Sequence, residues 1–172
     1  QPFLDRLDAT AVELGIADRI RTMNTDMAAL PFEQEAFDLI WSEGAIYNIG
    51  FERGFQRWRP LLRPSGSIAV SELSWLRDDA PEEVRTFWNG EYPAMTTVDE
   101  NKTIVTRTGY RLIDTFILPE AAWWDNYYGP LGSILDRLTE QYEGDDELIE
   151  VIEQEKLEID MYRRYSAYYG YV

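Results

Sequence analysis

Hydrophobic positions in the first part of the chain recur at two different spacings. At the start they recur every three to four residues, which predicts an amphipathic helix that ends at Gly15. Further along, three short apolar runs predict buried strands. These runs are residues 20–24, 37–42 and 67–73. A second helix is predicted over residues 50–62, where Pro60 would kink it or start a new turn, and a tight turn over residues 63–66.

The remaining residues favour helices. One helix is predicted to begin near Pro81, and Thr97 with Glu100 forms a capping-box pattern for another that runs to Arg107. The later elements are a strand over residues 110–118, helices over 131–142 and 146–168 with acidic outer faces, and a strand beginning in the last residues. The order predicts an α/β fold with a mostly parallel sheet and helices on both faces.

Composition excludes several classes of function. The 172 residues include 32 acidic and 16 basic side chains, a net charge of −16, which disfavours a nucleic-acid partner. Cysteine and histidine are both absent, so no metal site is expected. No apolar run is long enough to span a membrane and no signal peptide is visible, which indicates a soluble, cytoplasmic protein without a membrane partner.

The end of the second apolar run is the first candidate for a ligand site. The stretch FDLIWSEGAIYNIG places Ser42, Glu43 and Gly44 at the tip of a predicted strand, directly before an aromatic residue. Gly44 would let the backbone approach a ligand closely. Glu43 would bind a cation or accept a proton, or it would serve only as an acid at the start of a helix.

Four stretches together resemble a known family. They are NTDM, LPFEQEAFDLIWSEGAIYNI, LLRPSGSIAVSE and TGYRLIDTF. The chain resembles the second half of a class I S-adenosylmethionine-dependent methyltransferase, closest to the type 11 enzymes that act on small molecules. The resemblance covers residues 1–118 closely. It implies a partial Rossmann-like methyltransferase sheet, S-adenosylmethionine as cofactor, and methyl transfer to a small-molecule substrate.

One departure from the family is large. The family's glycine-rich loop and the acidic residue that holds the ribose hydroxyls are missing, and both would lie upstream of Gln1. In the family, two further strands would lie between those at 20–24 and 37–42. Either the chain lacks an upstream part of the protein or the fold differs. We therefore expect a single methyltransferase-like domain over 1–172 that is N-terminally incomplete, with 119–168 as a helical insertion within it. Expressed alone, we expect it not to form a stable monomer that binds the cofactor.

The resemblance also implies cofactor-binding residues. Asp26 would accept a hydrogen bond from the adenine amino group, and the backbone amide of Met27 would face the ring. The alternative for Asp26 is an acid that caps a turn. Ser42, Glu43 and Gly44 would pass beside the methionine part of the cofactor.

Aromatic side chains are candidates for the substrate pocket. Tyrosine and tryptophan rings can enclose a planar or cationic ligand, although core packing is the alternative for each of them. The predicted substrate-binding residues are Tyr47, Asn48, Trp75, Trp124 and Tyr128. Without histidine or cysteine, a catalytic base must be a carboxylate or a tyrosine, and Glu43 and Tyr47 are the predicted catalytic residues.

A cluster of aromatic residues supports a rival interpretation. In residues 123–130, WWDNYYGP, two tryptophans and two tyrosines cannot all face one core on a regular helix. Some must face a pocket or a partner chain. A homodimer is a separate expectation. The rival is a non-catalytic, acidic α/β interaction module that binds another protein through this segment.

Overall fold

The computed structural model describes residues 2–172. The helices are α1 (Pro2–Glu13), α2 (Phe51–Trp58), α3 (Glu82–Glu91), α4 (Val98–Arg107), α5 (Glu120–Trp123), α6 (Gly129–Gln141) and α7 (Asp146–Tyr165). The strands are β1 (Phe37–Glu43), β2 (Leu62–Ser71), β3 (Leu73–Trp75), β4 (Thr96–Thr97) and β5 (Tyr169–Tyr171). Short 3₁₀ turns cover Ala17–Arg19, Ile46–Ile49 and Arg59–Leu61, and a π turn covers Trp124–Tyr128.

The strands form two small sheets. β1 pairs in parallel with β2, from Leu39 opposite Ser67 to Glu43 opposite Ser71. β3 pairs in parallel with β4 and antiparallel with β5. The predicted α/β fold with a partial, mostly parallel sheet is therefore confirmed.

The predicted turn over residues 63–66 is wrong as a separate element. Leu62 lies opposite Phe37, and the next paired residue, Ser67, lies opposite Leu39, so residues 63–66 form a bulge inside β2. The predicted strand over 67–73 divides at Glu72, where the chain leaves β1 and joins the second sheet.

Two predicted strands do not form. Residues 20–24 form neither a helix nor a strand, although Ile20 has extended dihedral angles. Residues 110–118 are also irregular. A strand requires a neighbour that accepts and donates backbone hydrogen bonds along its length. In residues 110–118, the backbone contact to β5 is a hydrogen bond from Leu118 to Tyr171, which is too little to make a ladder.

The helix signals were more reliable. Thr97 accepts a hydrogen bond from the Glu100 amide at the start of α4, and the helix ends before Gly109, whose φ is +88°. The predicted helix over 50–62 becomes α2 followed by a 3₁₀ turn at Pro60. In α6 the Leu135 side chain is buried, whereas the neighbouring Ile134 is exposed.

Two groups of buried side chains hold these elements together. The smaller group centres on Ile46, Phe55 and Trp58, packed against β1 and β2. The larger group joins α3, β3, β5, α6 and α7, so the helices of residues 119–168 share one core with the second sheet. The division into one domain with an insertion stays a prediction. Within residues 2–172, no helix combines the length and the apolar character needed to cross a membrane.

Candidate active site at two parallel strand ends

The carboxyl ends of β1 and β2 lie side by side. Glu43 is opposite Ser71 in the parallel register, and the backbone amide of Gly44 donates a 2.9 Å hydrogen bond to the Ser71 hydroxyl. In open α/β sheets, ligands bind beyond the carboxyl ends of the strands. This hydrogen bond fixes the exit of the chain from β1 at such a position.

Gly44 is required by the backbone at this point. Its φ is +51°, in the left-handed region that side chains disfavour. A Cβ atom at Gly44 would lie 3.2 Å from the hydroxyl of Tyr171 in β5. The glycine therefore allows β5 and the end of β1 to approach each other.

A cavity of about 1220 Å³ begins at these strand ends. It extends along the edge of β2 that β1 leaves free, as far as the irregular segment 109–118. The residues that line it come from several elements. Among them are Glu43, Glu72, Asn126, Tyr127 and Tyr171. The mixture of aromatic and polar groups suits a small organic ligand.

Glu72 is the buried carboxyl group of this cavity. Its side chain is 4 % exposed, and Oε1 accepts a 2.5 Å hydrogen bond from the Tyr92 hydroxyl. Burial raises the pKa of Glu72 to about 7, and the hydrogen bond from Tyr92 opposes part of that rise. Burial also raises the pKa of Tyr171 to about 12, with a further contribution from the nearby Glu72 carboxyl, so the Tyr171 hydroxyl stays neutral.

The backbone of Glu72 is held on both sides. Its amide and carbonyl exchange hydrogen bonds of 3.1 Å each with Val172. The Ser74 hydroxyl donates to the Glu72 carbonyl at 3.1 Å and accepts from the Asn101 side chain at 3.0 Å. Sequence reasoning missed Glu72, although an acid within the apolar run SIAVSEL was a visible signal.

Comparison with known proteins identifies the fold. The model of the methyltransferase domain family matches residues 2–70. The structure superposes on an S-adenosylmethionine-dependent methyltransferase from Geobacter sulfurreducens that was solved with S-adenosyl-L-homocysteine. The superposition includes 99 % of this chain, with a TM-score of 0.78 and 23 % sequence identity. The fold is that of a class I S-adenosylmethionine-dependent methyltransferase.

Two further comparisons agree with this methyltransferase fold. A methyltransferase from Thiobacillus denitrificans, also solved with S-adenosyl-L-homocysteine, gives a TM-score of 0.77 at 20 % identity over 99 % of this chain. The sarcosine/dimethylglycine N-methyltransferase of Aphanothece halophytica is 32 % identical over 72 residues, which is 42 % of this chain. The match spans 26 % of that relative, and the chain covers 69 % of each of the two solved methyltransferases. The resemblance to the methyltransferase domain family is confirmed over residues 2–70, and the similarity of fold extends over 99 % of the chain.

Three of the predicted cofactor-binding residues lie at the end of β1, on two different faces. Glu43 and Gly44 line the cavity. Ser42 points to the opposite face of the strand, where its buried hydroxyl has no hydrogen-bond partner among the described residues. The alternation of side chains along a strand explains this separation.

Asp26 and Met27 lie outside the cavity lining. Asp26 Oδ1 accepts a 2.8 Å hydrogen bond from the Ala28 amide, as the turn-capping alternative expects. The carbonyl of Met27 accepts a 3.1 Å hydrogen bond from the Trp58 indole, which ties this loop to α2. The adenine contact of Asp26 and Met27 stays a prediction.

The predicted aromatic pocket residues are dispersed. The ring of Tyr47 lies 5.7 Å from the ring of Tyr92, whose hydroxyl donates to Glu72. The Asn48 side chain donates a hydrogen bond to the Ala45 carbonyl at the start of the same 3₁₀ turn. Trp75 and Tyr128 are buried in the larger core, and the Tyr128 hydroxyl donates to Glu158 at 2.8 Å.

The last of these candidates, Trp124, packs away from the strand ends. Its ring contacts those of Tyr128 and Tyr162, and the guanidinium of Arg163 lies 5.3 Å from its centre. The neighbouring Tyr127, a further candidate from the same aromatic segment, lines the cavity instead.

Proposed function

We propose that the protein transfers a methyl group from S-adenosylmethionine to a small-molecule acceptor. The observation that carries the proposal is the strand end at Gly44, which opens into the cavity and lies within the part of the chain that matches the methyltransferase domain family. The S-adenosyl-L-homocysteine in two similar structures supports the choice of cofactor.

The residues at the end of β1 fit such a cofactor. The absence of a side chain at Gly44 leaves the backbone of this strand end bare, and a Cβ atom there would come within 3.2 Å of the Tyr171 hydroxyl. Glu43 and Gly44 would hold the cofactor from this side of the cavity. When bound, S-adenosylmethionine supplies a methyl group already activated on a sulfonium.

The chain's own contribution is to position the acceptor and exclude water. Tyr127 and Tyr171 supply apolar ring surface to the cavity beside the two strand ends. Glu43, whose side chain is exposed at the cavity, would bind and orient a cationic acceptor, and Tyr47 would assist on the side of Tyr92.

The rival interaction module receives less support. Trp123 and Tyr128 of the aromatic segment are 5 % and 1 % exposed, so neither is available to a partner protein. The net charge of −16 supports the prediction that nucleic acid is not a partner. A cytoplasmic location and a homodimer stay predictions.

Product analysis tests the proposal. The full-length protein would be incubated with methyl-labelled S-adenosylmethionine and a panel of small acceptors that includes sarcosine and dimethylglycine, the compounds in the relative's name. We expect label in one or more acceptors and formation of S-adenosylhomocysteine in equal amount. A folded protein that transfers label to no small molecule, yet captures a protein through residues 123–130, would favour the rival.

A further inference from the structure

We propose that Glu72, with Tyr92 beside it, is the proton acceptor for an amine substrate of this site. The inference rests on the proposed methyl transfer and names the class of acceptor and a further catalytic residue. Neither the sequence pattern nor the family comparison assigns a role to Glu72 or Tyr92.

The carboxyl group of Glu72 lies at the strand ends that form the candidate site. Glu72 directly follows Ser71, the residue at the end of β2 that holds the Gly44 amide. It lines the same cavity as Glu43 and Gly44, although its side chain is only 4 % exposed. The carboxyl group is therefore enclosed beside the cavity and does not lie at the outer surface.

Within residues 2–172, no arginine or lysine forms an ion pair with Glu72. The titratable groups beside it are the hydroxyls of Tyr92 at the end of α3 and Tyr171 in β5, and Tyr47 in the 3₁₀ turn lies next to Tyr92. A buried carboxylate without a counter-ion is costly, and a cationic ligand would remove that cost.

The surface around the carboxyl group also suits a cation. The rings of Tyr47 and Tyr92 lie 5.7 Å apart, and Tyr171 and Tyr127 line the adjoining cavity. Aromatic rings attract a substituted ammonium through cation–π contact, which a carboxylate reinforces. A neutral or anionic acceptor would gain neither interaction.

The proposed step moves one proton and one methyl group. The Glu72 carboxylate takes a proton from the substrate ammonium and becomes a neutral carboxyl group, which leaves a lone pair on nitrogen. That lone pair forms the new N–C bond to the methyl group as the C–S bond breaks, and the electron pair of the broken bond remains on sulfur. The hydrogen bond from Tyr92 holds Oε1 in place, which leaves Oε2 to receive the proton.

The test uses three variants of the full-length protein and a panel of acceptors. The panel contains glycine, sarcosine and dimethylglycine as amines and catechol as a hydroxyl acceptor. Glu72→Gln removes the proton acceptor, and Tyr92→Phe removes its hydrogen bond. Glu158→Gln is the matched control, because Glu158 also accepts a tyrosine hydroxyl and has a pKa raised by burial but does not line the cavity.

We expect amine methylation with a kcat/KM that rises with pH through about 7 in the wild type. In Glu72→Gln the kcat/KM for amine methylation should fall by about 100-fold or more and should no longer depend on pH in this range. The affinity for S-adenosylmethionine should be unchanged. The hydrogen bond from Tyr92 lowers the pKa of Glu72 in the wild type. Its removal in Tyr92→Phe should therefore raise that pKa and move the midpoint of the pH profile upward. Glu158→Gln should retain the wild-type profile.

The possible outcomes separate the role of Glu72 from methyl transfer itself. Retained amine methylation in Glu72→Gln, or methylation of catechol alone, would overturn the role of Glu72 while methyl transfer stands. That role is also overturned if S-adenosylmethionine binds but no amine is methylated. A folded wild-type protein that does not bind S-adenosylmethionine would overturn the proposed function.

Discussion

The indole of Trp123 and the ring of Tyr128 stack with their centres 5.2 Å apart, although the two residues are five positions apart in the chain. A regular α-helix brings residues three or four apart together, so this contact depends on the π turn over Trp124–Tyr128. The turn puts Trp123 and Tyr128 in the core and leaves Tyr127 at the cavity.

Gly129 closes the π turn, which gives the first prediction. A Cβ atom at Gly129 would lie 2.5 Å from the Trp124 carbonyl oxygen, a backbone atom that cannot easily move. We expect Gly129→Ala to lower the free energy of unfolding by about 1–3 kcal/mol in a urea titration. Gly132→Ala in the same helix is the control, since its Cβ would meet only Ile159 at 3.9 Å and should not destabilise. Equal stability of the two variants would refute the packing argument.

The raised pKa of Glu72 leads us to expect an unusual pH dependence of the protein's stability. Its pKa is raised to about 7 from an ordinary value of 4.5, so the folded state holds this proton more tightly than the unfolded state. The unfolding free energy contributed by this group therefore falls as the pH rises from 4.5 to 7, by at most about 3 kcal/mol. Glu72→Gln should remove that fall and be more stable than the wild type above pH 7. Parallel stability curves for the two proteins would contradict the burial of a titrating group.

Glu43→Gln tests the predicted catalytic role of Glu43. Because the side chain lines the cavity, we expect turnover to fall more than S-adenosylmethionine affinity in steady-state kinetics and calorimetry. Glu33→Gln, an exposed carboxylate before β1, should change neither. If Glu43→Gln lowers both quantities equally, or neither, the carboxylate serves only as an acid at a helix end.

Asp26 tests the adenine contact that the family resemblance implies. We expect Asp26→Ala to weaken S-adenosylmethionine binding by about 1–3 kcal/mol, the cost of a buried donor without a partner. Asp26→Asn keeps an acceptor for the Ala28 amide, so it shows how much of any loss comes from the turn. An unchanged dissociation constant in Asp26→Ala would remove Asp26 from the site.

Local patterns predicted elements whose causes are local. β1 follows from the apolar run at residues 37–42, and the start of α4 follows from the Thr97 hydroxyl within reach of the Glu100 amide. The strands at 20–24 and 110–118 failed because a strand depends on a partner that its own sequence does not specify.

The candidate site was only partly predictable for the same reason. The signal at Glu43 and Gly44 was local, since a charge and a glycine interrupt an apolar run. The hydrogen bond between Tyr92 and Glu72 joins residues that are 20 positions apart in the chain. The backbone hydrogen bonds between Glu72 and Val172 depend on the antiparallel approach of β5. Trp75 and Tyr128 carried the same aromatic signal as Tyr127, and only packing separates core from cavity.

Calorimetric titration of the full-length protein with S-adenosylmethionine tests the central claim most directly. The wild type should bind one cofactor per chain with a saturable heat, and Gly44→Val should abolish that binding because its side chain would press against Tyr171 and displace the lining of the cavity at this strand end. Gly15→Val, at a similar positive φ but with no atom within 4 Å of its Cβ, should bind as the wild type does. A cooperatively folded wild-type protein that gives no binding heat, or a Gly44→Val variant that binds normally, would contradict a methyltransferase site at this strand end.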